Sequence, residues 1–128
     1  MKHLNASLKV LFFAIFLISL NACEKKKPEL LAKEWNATEL SFAGTTLSGD
    51  QVSLMYNFKK DGSFERTEDG TKEEGKWSLS EDGKKLILEF KGAEGKAEKE
   101  VKELTETKLV ISGEEHTMLR VEKLEAKK

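Results

Sequence analysis

Three Asp-Gly dipeptides divide the middle of the chain into short segments, at residues 61–62, 69–70 and 82–83. Asp-Gly supplies backbone positions that accept a positive φ, which the tight turns of β-hairpins require. The segments between these dipeptides alternate apolar with polar residues, which is the pattern of a strand that buries one face. Residues 52–90 are therefore predicted to form an antiparallel meander of four strands.

The rest of the chain adds strands of the same kind. The clearest alternation is in residues 52–58, where Val52, Leu54, Tyr56 and Phe58 share one face. Residues 44–50 hold glycine and hydroxyl residues and are predicted to form a loop. The eight predicted strands cover residues 35–42, 52–58, 63–67, 75–80, 85–90, 96–104, 108–112 and 117–124. Such a meander can close into an all-β, antiparallel up-and-down barrel, which has no exposed edge strand.

Three further segments complete the predicted barrel. Residues 28–33 begin with proline and an acid, which favours a short helical turn before the first strand. Residues 96–104 are rich in lysine, glutamate and alanine, so propensity favours a helix. Their place in a meander favours a charged strand, which we prefer. Residues 113–115 are predicted to be the last turn.

The first 22 residues have the features of a secretory signal. Lys2, His3 and Lys9 form a basic head without an acid. Residues 10–20 form an apolar run that is shorter than the ~20 residues of a membrane-spanning helix. Residues 1–22 are therefore interpreted as a signal peptide.

The end of this segment, Leu20-Asn21-Ala22-Cys23, resembles the lipobox of bacterial lipoproteins. The resemblance implies that cleavage makes Cys23 the new N-terminus and that Cys23 is acylated on its sulfur and its amine. Cys23 is the only cysteine, so it has no partner for an internal disulfide. Several buried acyl chains hold a protein on a membrane durably, whereas one binds marginally. The alternative is an ordinary secretory signal followed by a spare cysteine.

The predicted mature chain consists of a tether, residues 23–29, and one domain, residues 30–128. Loss of Lys2 and Lys9 leaves 20 basic and 23 acidic side chains, a net charge of −3. This balance argues against a nucleic-acid partner. Glu24 follows the cysteine in place of the aspartate that marks inner-membrane retention in enterobacterial lipoproteins. We therefore expect a monomer anchored to the bacterial cell envelope, in the outer membrane.

The domain resembles the small bacterial lipocalin-like lipoproteins over nearly everything after residue 28. The resemblance rests on Trp35 near the start of the first strand, the hairpin at 58–64, the segment 75–79, residues 86–88, and a leucine-threonine step at 104–105 before Leu109. It implies a lipocalin-like barrel that binds a small hydrophobic or amphipathic molecule.

Two features of the lipocalin pattern involve the tryptophan of the first strand. Lipocalins carry Gly-x-Trp in the first strand, whereas this chain has Lys33 at the glycine position. An arginine usually packs over that tryptophan, and Arg120 is the candidate for this role.

The sequence offers little for catalysis. His116 is the only histidine after the signal peptide, and it follows Glu114 and Glu115. Adjacent residues of a strand point to opposite sides, so these three do not converge on a metal. The serines and threonines lack a histidine in any known pattern. We therefore predict no enzymatic activity, no metal and no cofactor.

A barrel of eight strands has an interior that side chains fill or that holds one small ligand. Both outcomes stay open, because the aromatic residues are large enough to occupy most of the space. Arg66 shares a face with Phe64 and needs an anionic partner from the protein or a ligand, unless it extends to solvent. The candidate ligand-binding residues are Trp35, Tyr56, Phe58, Arg66, Trp77 and Leu88.

These observations lead to two functional hypotheses. The first is a membrane-anchored lipocalin-like lipoprotein that binds a small hydrophobic or amphipathic ligand in or at the mouth of the barrel. The second is a structural or protein-interaction lipoprotein of the envelope, whose barrel is fully packed.

Overall fold

The computed structural model describes residues 27–92 and 95–128. The described part begins with a short helix, α1 (Lys27–Leu31), and a 3₁₀ turn at Gly49–Gln51 follows the second strand. All other elements are strands: β1 (Glu34–Phe42), β2 (Thr45–Ser48), β3 (Leu54–Phe58), β4 (Ser63–Glu68), β5 (Thr71–Leu79), β6 (Lys85–Phe90), β7 (Lys96–Leu104), β8 (Lys108–Glu115) and β9 (Met118–Ala126). The predicted signal peptide and Cys23 lie outside the described residues.

The strands form a closed antiparallel barrel. Consecutive strands from β3 to β9 pair with one another, and β1 closes the cylinder by pairing with both β3 and β9. The prediction of an all-β, eight-stranded antiparallel barrel preceded by a short helical turn is thereby confirmed. Residues 96–104 form a strand, β7, and not a helix.

The prediction of a loop at 44–50 was wrong, because Thr45–Ser48 forms an additional strand, β2. Ala43 and Gly44 both have positive φ, 52° and 83°, which makes the tight turn of a β1–β2 hairpin. The threonine-rich sequence suits an extended backbone. The Oγ atoms of Ser41 and Thr46 also hydrogen-bond across the pair at 3.0 Å. The first half of β1 thus pairs with β3 and its second half with β2.

The prediction of a turn at 113–115 was also wrong. These residues belong to β8, and the turn is made by His116 and Thr117, with φ of 53° and 65°. Positive φ is uncommon for residues other than glycine, which is why the sequence did not reveal this turn. The Thr117 hydroxyl donates a hydrogen bond of 2.6 Å to the His116 carbonyl oxygen.

The two ends of the barrel differ. We call the end that contacts α1 the closed end, where Leu31 is fully buried and its carbonyl oxygen accepts a hydrogen bond of 3.0 Å from Trp35 Nε1. We call the other end the mouth. It holds the turns between β4 and β5 and between β8 and β9, because antiparallel strands that begin at one end return to it.

Gly75 marks a close approach of strands in the barrel wall. A Cβ atom at this position would lie 2.0 Å from the Glu89 carbonyl oxygen and 2.8 Å from a ring atom of Phe64. No side chain fits there without moving the β5–β6 pair. The missing side chain lets Phe64 pack edge-on against Phe90, with ring centroids 5.4 Å apart.

Candidate binding site at the barrel mouth

Most of the predicted ligand-binding residues pack against one another inside the barrel. Trp35, Tyr56, Phe58 and Leu88 are all buried, and the Tyr56 and Phe58 rings stack at 5.2 Å. Trp77 is half-buried, with its ring edge-on to Phe58 and its Nε1 donating a hydrogen bond of 2.9 Å to the Lys59 carbonyl oxygen. These side chains fill the interior toward the closed end. Ligand contact by them stays a prediction.

The tryptophan of the first strand has a different cation partner from the one expected. Arg120 pairs with Phe42, at the far end of β1 from Trp35. Lys33 lies over the indole instead, with its Nζ 5.5 Å from the ring centroid. The residue at the family's glycine position therefore supplies the cation that Arg120 was expected to supply.

Above the aromatic residues lies a group of buried polar side chains that we call the charged layer. Its members are Tyr56, Arg66, Glu68, Lys99, Arg120 and Glu122. They come from four strands, β3, β4, β7 and β9, and strand alternation puts each of them on the inward face. The layer separates the apolar interior from the mouth.

Tyr56 links the two sides of this layer. Its hydroxyl donates a hydrogen bond of 2.9 Å to Glu122 Oε1 and accepts one of 3.2 Å from Arg66 Nε. The remaining donors of Arg66 reach Glu68 at 2.7 Å and Glu73 at 2.9 Å. Arg66 thus faces inward, and its anionic partners come from the protein.

Arg120 is the second arginine of the charged layer. One of its terminal nitrogens pairs with both Glu68 and Glu122, and the other donates a hydrogen bond of 3.1 Å to Glu115 Oε2. Among the described residues, its Nε is buried without a hydrogen-bond partner. The guanidinium, which carries five N–H donors, is therefore not saturated by the protein's own acids.

Glu122 is the deepest charge of the layer, with a fully buried side chain. Its Oε2 lies 3.2 Å from Lys99 Nζ, although that atom accepts no geometrically good hydrogen bond from the described residues. Gly113 of β8 stands opposite Arg120, and the Lys99 side chain passes beside it, with Cγ 3.4 Å from where a Cβ would stand. Lys99 and Arg120 together compensate the buried carboxylate.

Burial and charge determine how these groups ionise. Burial, followed by the charge of Glu122, raises the pKa of the Tyr56 hydroxyl well above its usual value, so this group stays protonated. Burial opposes ionisation of Glu68, but the hydrogen bond from Arg120 and the charge of Arg66 outweigh it and lower the pKa of that carboxyl. Burial likewise opposes the charge of Arg120, but the charge of Glu122 and the hydrogen bond that Arg120 donates to Glu68 leave its pKa raised. The pairing of Glu68 with the two arginines therefore favours the charged form of each partner.

The three cations of the layer lie deeper than Glu68, Glu73 and Glu115, three of the four acids that they contact. The side chains of Arg66, Lys99 and Arg120 are 10%, 12% and 8% exposed. Glu68 is 25% exposed. Two further partners, Glu73 and Glu115, are 39% and 44% exposed, and we call them the rim acids. Without the rim acids the layer holds three cations and two carboxylates, a net charge of +1.

Apolar side chains stand beside this charged layer at the mouth. Met118 pairs with Glu115 and alternates onto the same face as Arg120, and it is exposed. Phe42 pairs with Arg120 from β1 and is half-buried. Leu119 is exposed too but alternates onto the outer face. The mouth therefore places apolar surface next to buried cations, which suits an amphipathic molecule.

A concave region lies on the barrel wall and not in its interior. This open cleft of about 570 Å³ crosses β4, β5 and β6 near Gly75. Phe64 and Phe90 form its apolar part, and its other lining side chains are chiefly lysines and glutamates that are exposed to solvent. It lacks buried polar groups that would fix a ligand's orientation.

Sequence reasoning found Tyr56 and Arg66 but missed their partners. Glu68, Lys99 and Glu122 read as solvated charges, because acids and lysines are abundant throughout the chain. The sequence of β9 does indicate an inward position for two of these groups, because strand alternation puts Arg120 and Glu122 on the same face as the buried Leu124. Two opposite charges on the same strand face as a buried leucine indicate an inward ion pair.

The described residues contain no group of three or more side chains suited to bind a metal ion. Within the same residues, no helix has the length and apolar content needed to cross a membrane.

Comparison with known proteins places this barrel in a family. Among solved structures, a lipocalin-like protein from Bacteroides uniformis is similar to it, with a TM-score of 0.60 and 24% sequence identity, over 77% of this chain and 99% of the other. This likeness supports the fold. No curated protein matches the chain. The family model of the lipocalin-like domain matches residues 31–111, from α1 into β8. The chain belongs to the lipocalin-like domain family.

Proposed function

We propose that this protein is a lipid-anchored, non-enzymatic binding module of the bacterial cell envelope that takes a small amphipathic ligand at the mouth of its barrel. The observation that carries this proposal is the unsaturated Arg120, buried in the charged layer beside the apolar Met118 and Phe42. Because buried aromatic side chains fill the interior, we place the ligand at the mouth and not deep inside the barrel.

The proposed anchor is Cys23, and the position of α1 supports an orientation. Four residue steps separate Cys23 from Lys27, which limits the tether to about 14 Å. Helix α1 packs at the closed end, through Leu31 and Trp35. Acylation of Cys23 would hold the closed end near the membrane and turn the mouth away from it, toward ligands in the surrounding space.

A matched pair of variants tests binding at the mouth. Met118 and Leu119 are adjacent and exposed, but only Met118 shares a face with Arg120. Binding of an eight-carbon amphiphile, octanoate, to full-length protein in phosphatidylcholine nanodiscs is followed by carbon-13 NMR, with empty nanodiscs subtracted. Met118→Gln should weaken saturable binding severalfold, and Leu119→Gln should not. No saturable binding, or equal effects of both variants, contradicts the proposal.

The anchor has its own test. Wild-type protein and Cys23→Ser are expressed in a bacterium, and membrane and soluble fractions are compared. We expect the wild type in the membrane fraction, with a mass increase from acyl chains, and the variant without that increase. An unmodified wild-type cysteine contradicts the lipid anchor but not the ligand site.

The packed interior favours one alternative, an envelope lipoprotein whose barrel contacts another protein. Tyr56, Phe58, Phe64 and Leu88 are each at most 1% exposed, so the aromatic zone alone needs no ligand for its stability. The octanoate titration separates the two functions, since a purely structural barrel has no saturable site at the mouth.

A further inference from the structure

We infer that Asp69, in the turn between β4 and β5 at the mouth, is a modification site that isomerises spontaneously to isoaspartate, whereas the other two Asp-Gly dipeptides are protected by their turns. The three dipeptides, at 61–62, 69–70 and 82–83, have the same two residues. Their turns differ in whether the glycine N–H is hydrogen-bonded and in what holds the aspartate carboxylate. Neither the proposed ligand nor the proposed anchor takes part in this reaction.

Isomerisation begins when the backbone nitrogen of the glycine attacks Cγ of the preceding aspartate. The new N–Cγ bond closes a five-membered succinimide ring, while the N–H proton and the carboxyl OH leave together as water. Solvent water then adds to the original main-chain carbonyl carbon, the bond from that carbon to the glycine nitrogen breaks, and the main chain continues through Cβ and Cγ. The reaction therefore needs a free glycine nitrogen and a carboxyl group in its neutral form.

The glycine nitrogen is occupied in the two protected turns. Each of these turns is closed by a hydrogen bond from the glycine N–H to the carbonyl oxygen three residues earlier, 3.1 Å long for Gly62 and 2.9 Å long for Gly83. The turn at 69–70 has only two residues, because β4 and β5 pair directly on either side of it. The closing hydrogen bond of such a turn belongs to the residue after the glycine. Within the described backbone, Gly70 donates no hydrogen bond.

The carboxylates are also held in the two protected turns. Asp61 Oδ1 accepts hydrogen bonds of 2.6 Å and 2.9 Å from the hydroxyl and the backbone nitrogen of Ser63. Asp82 Oδ1 accepts one of 2.6 Å from the Ser80 hydroxyl and one of 3.0 Å from a backbone nitrogen. These bonds, the serine hydroxyls first, lower the pKa of both carboxyls and keep them ionised. Asp69 is exposed, and its carboxylate accepts no hydrogen bond from the part of the chain that the structure describes.

The space around the glycines favours the same site. Gly70 is exposed, and a Cβ atom there would have nothing within 4 Å. Gly83 is buried beneath the side chain of Lys27, which a Cβ atom at this position would meet. Gly62 is as open as Gly70, so at that turn the hydrogen bonds alone give the protection.

The product would change the mouth, because isoaspartate adds one methylene to the main chain. The length of a hairpin turn sets the register of its two strands, and this turn has only two residues. Glu68, directly before the turn, bridges Arg66 and Arg120 in the charged layer. The urea midpoint of unfolding should therefore fall as isoaspartate accumulates at residue 69. A constant midpoint would show that this turn does not support the layer.

The experiment ages full-length protein in phosphatidylcholine nanodiscs at neutral pH for several weeks. Trypsin then places the three dipeptides on separate peptides, residues 61–66, 67–72 and 77–84, and chromatography with mass spectrometry separates the isoaspartate form of each. We expect isoaspartate to accumulate about tenfold faster in peptide 67–72 than in the other two, because those sites must first break hydrogen bonds. In the urea-unfolded chain, the three rates should be similar.

A matched pair of variants tests the glycine nitrogen by itself. Asparagine closes the same ring with loss of ammonia, so its rate does not depend on a neutral carboxyl, and hydrolysis gives a detectable gain in mass. Asparagine also accepts the positive φ of residue 69, so the turn is kept. Asp69→Asn should deamidate about tenfold faster than Asp61→Asn in the folded protein.

Three results would overturn the inference: equal isoaspartate in the three peptides of the folded wild type, equal deamidation of the two variants, or the same preference for residue 69 in the unfolded chain. Each of them leaves the proposed ligand site and anchor as they stand, because octanoate binding and acylation are measured separately.

Discussion

The two ends of this barrel use opposite chemistry to fill the same kind of space. At the closed end, Leu31, Trp35 and Phe58 belong to one apolar cluster, and hydrophobic burial stabilises the fold. At the mouth, arginines and glutamates occupy inward positions where leucines would pack as well. A buried ion pair stabilises a fold no more than an apolar pair of the same volume. The mouth therefore contributes less to the free energy of unfolding than apolar residues there would. Such a sacrifice is expected where a site must recognise a polar molecule.

The largest effect should come from the closed end. Trp35→Ala removes a fully buried side chain, its hydrogen bond to the Leu31 carbonyl oxygen and its cation–π contact with Lys33. We therefore expect a loss of about 4 kcal/mol in the free energy of unfolding. Urea denaturation followed by circular dichroism measures it. Trp77→Ala is the control, because that half-buried ring should cost distinctly less. Equal losses would contradict the difference in burial between the two tryptophans.

The Glu122→Leu variant tests how far the stability of the protein depends on ion pairing in the charged layer. This change leaves Lys99 and Arg120 without their deepest partner, and we expect a loss of about 3 kcal/mol. Glu98→Gln removes an exposed acid of β7 and should change stability by no more than about 0.5 kcal/mol. A Glu122 variant as stable as the Glu98 variant would show that the inward ion pairs are not formed.

Tyr56→Phe isolates the bridge between the two zones. It keeps the stacked ring but removes the hydroxyl that joins Arg66 to Glu122, so we expect a loss of about 1 to 2 kcal/mol. The same denaturation experiment applies. A wild-type stability would mean that the ring alone accounts for the role of Tyr56.

The smallest expected effect is a pH dependence from Glu68. Its pKa is lower in the folded protein than the ordinary value of 4.5, so its pairing with the arginines contributes stability that is fully present above about pH 4.5. That contribution is lost as the pH falls through the lowered pKa. The stability difference between wild type and Glu68→Gln should therefore shrink below pH 4.5. A difference that does not change between pH 6 and pH 3 contradicts the pairing.

The contrast between the two ends also explains what the sequence could predict. Alternation revealed inward positions wherever they are apolar, so Tyr56, Phe58 and Leu88 were placed correctly inside the barrel. The same rule applies to Lys99 and Glu122, but a charged residue on an inward position looks like an exposed one until its partner is known. That partner lies on another strand, distant in sequence, and single-sequence periodicity does not carry pairing information. The alternation of β9 indicates that Arg120 and Glu122 face inward, but the partners of these residues on other strands could be found only in three dimensions.

The turns show the same limit on a local scale. Asp-Gly marked the hairpins at Gly62, Gly70 and Gly83, where positive φ suits glycine. The His116-Thr117 turn adopts positive φ without glycine, and no residue there announces it. Strand β2 was missed because four residues are too few to show a period.

The pairing of β1 with β9 has a consequence for how the chain assembles. These strands come from opposite ends of the described domain, so their contact requires the largest loop closure in the molecule. Until β9 is in place, β1 presents an unprotected edge from Trp35 to Phe42 that can capture a strand of another chain. A delay in the docking of β9 would therefore show itself as aggregation rather than as a stable partial barrel.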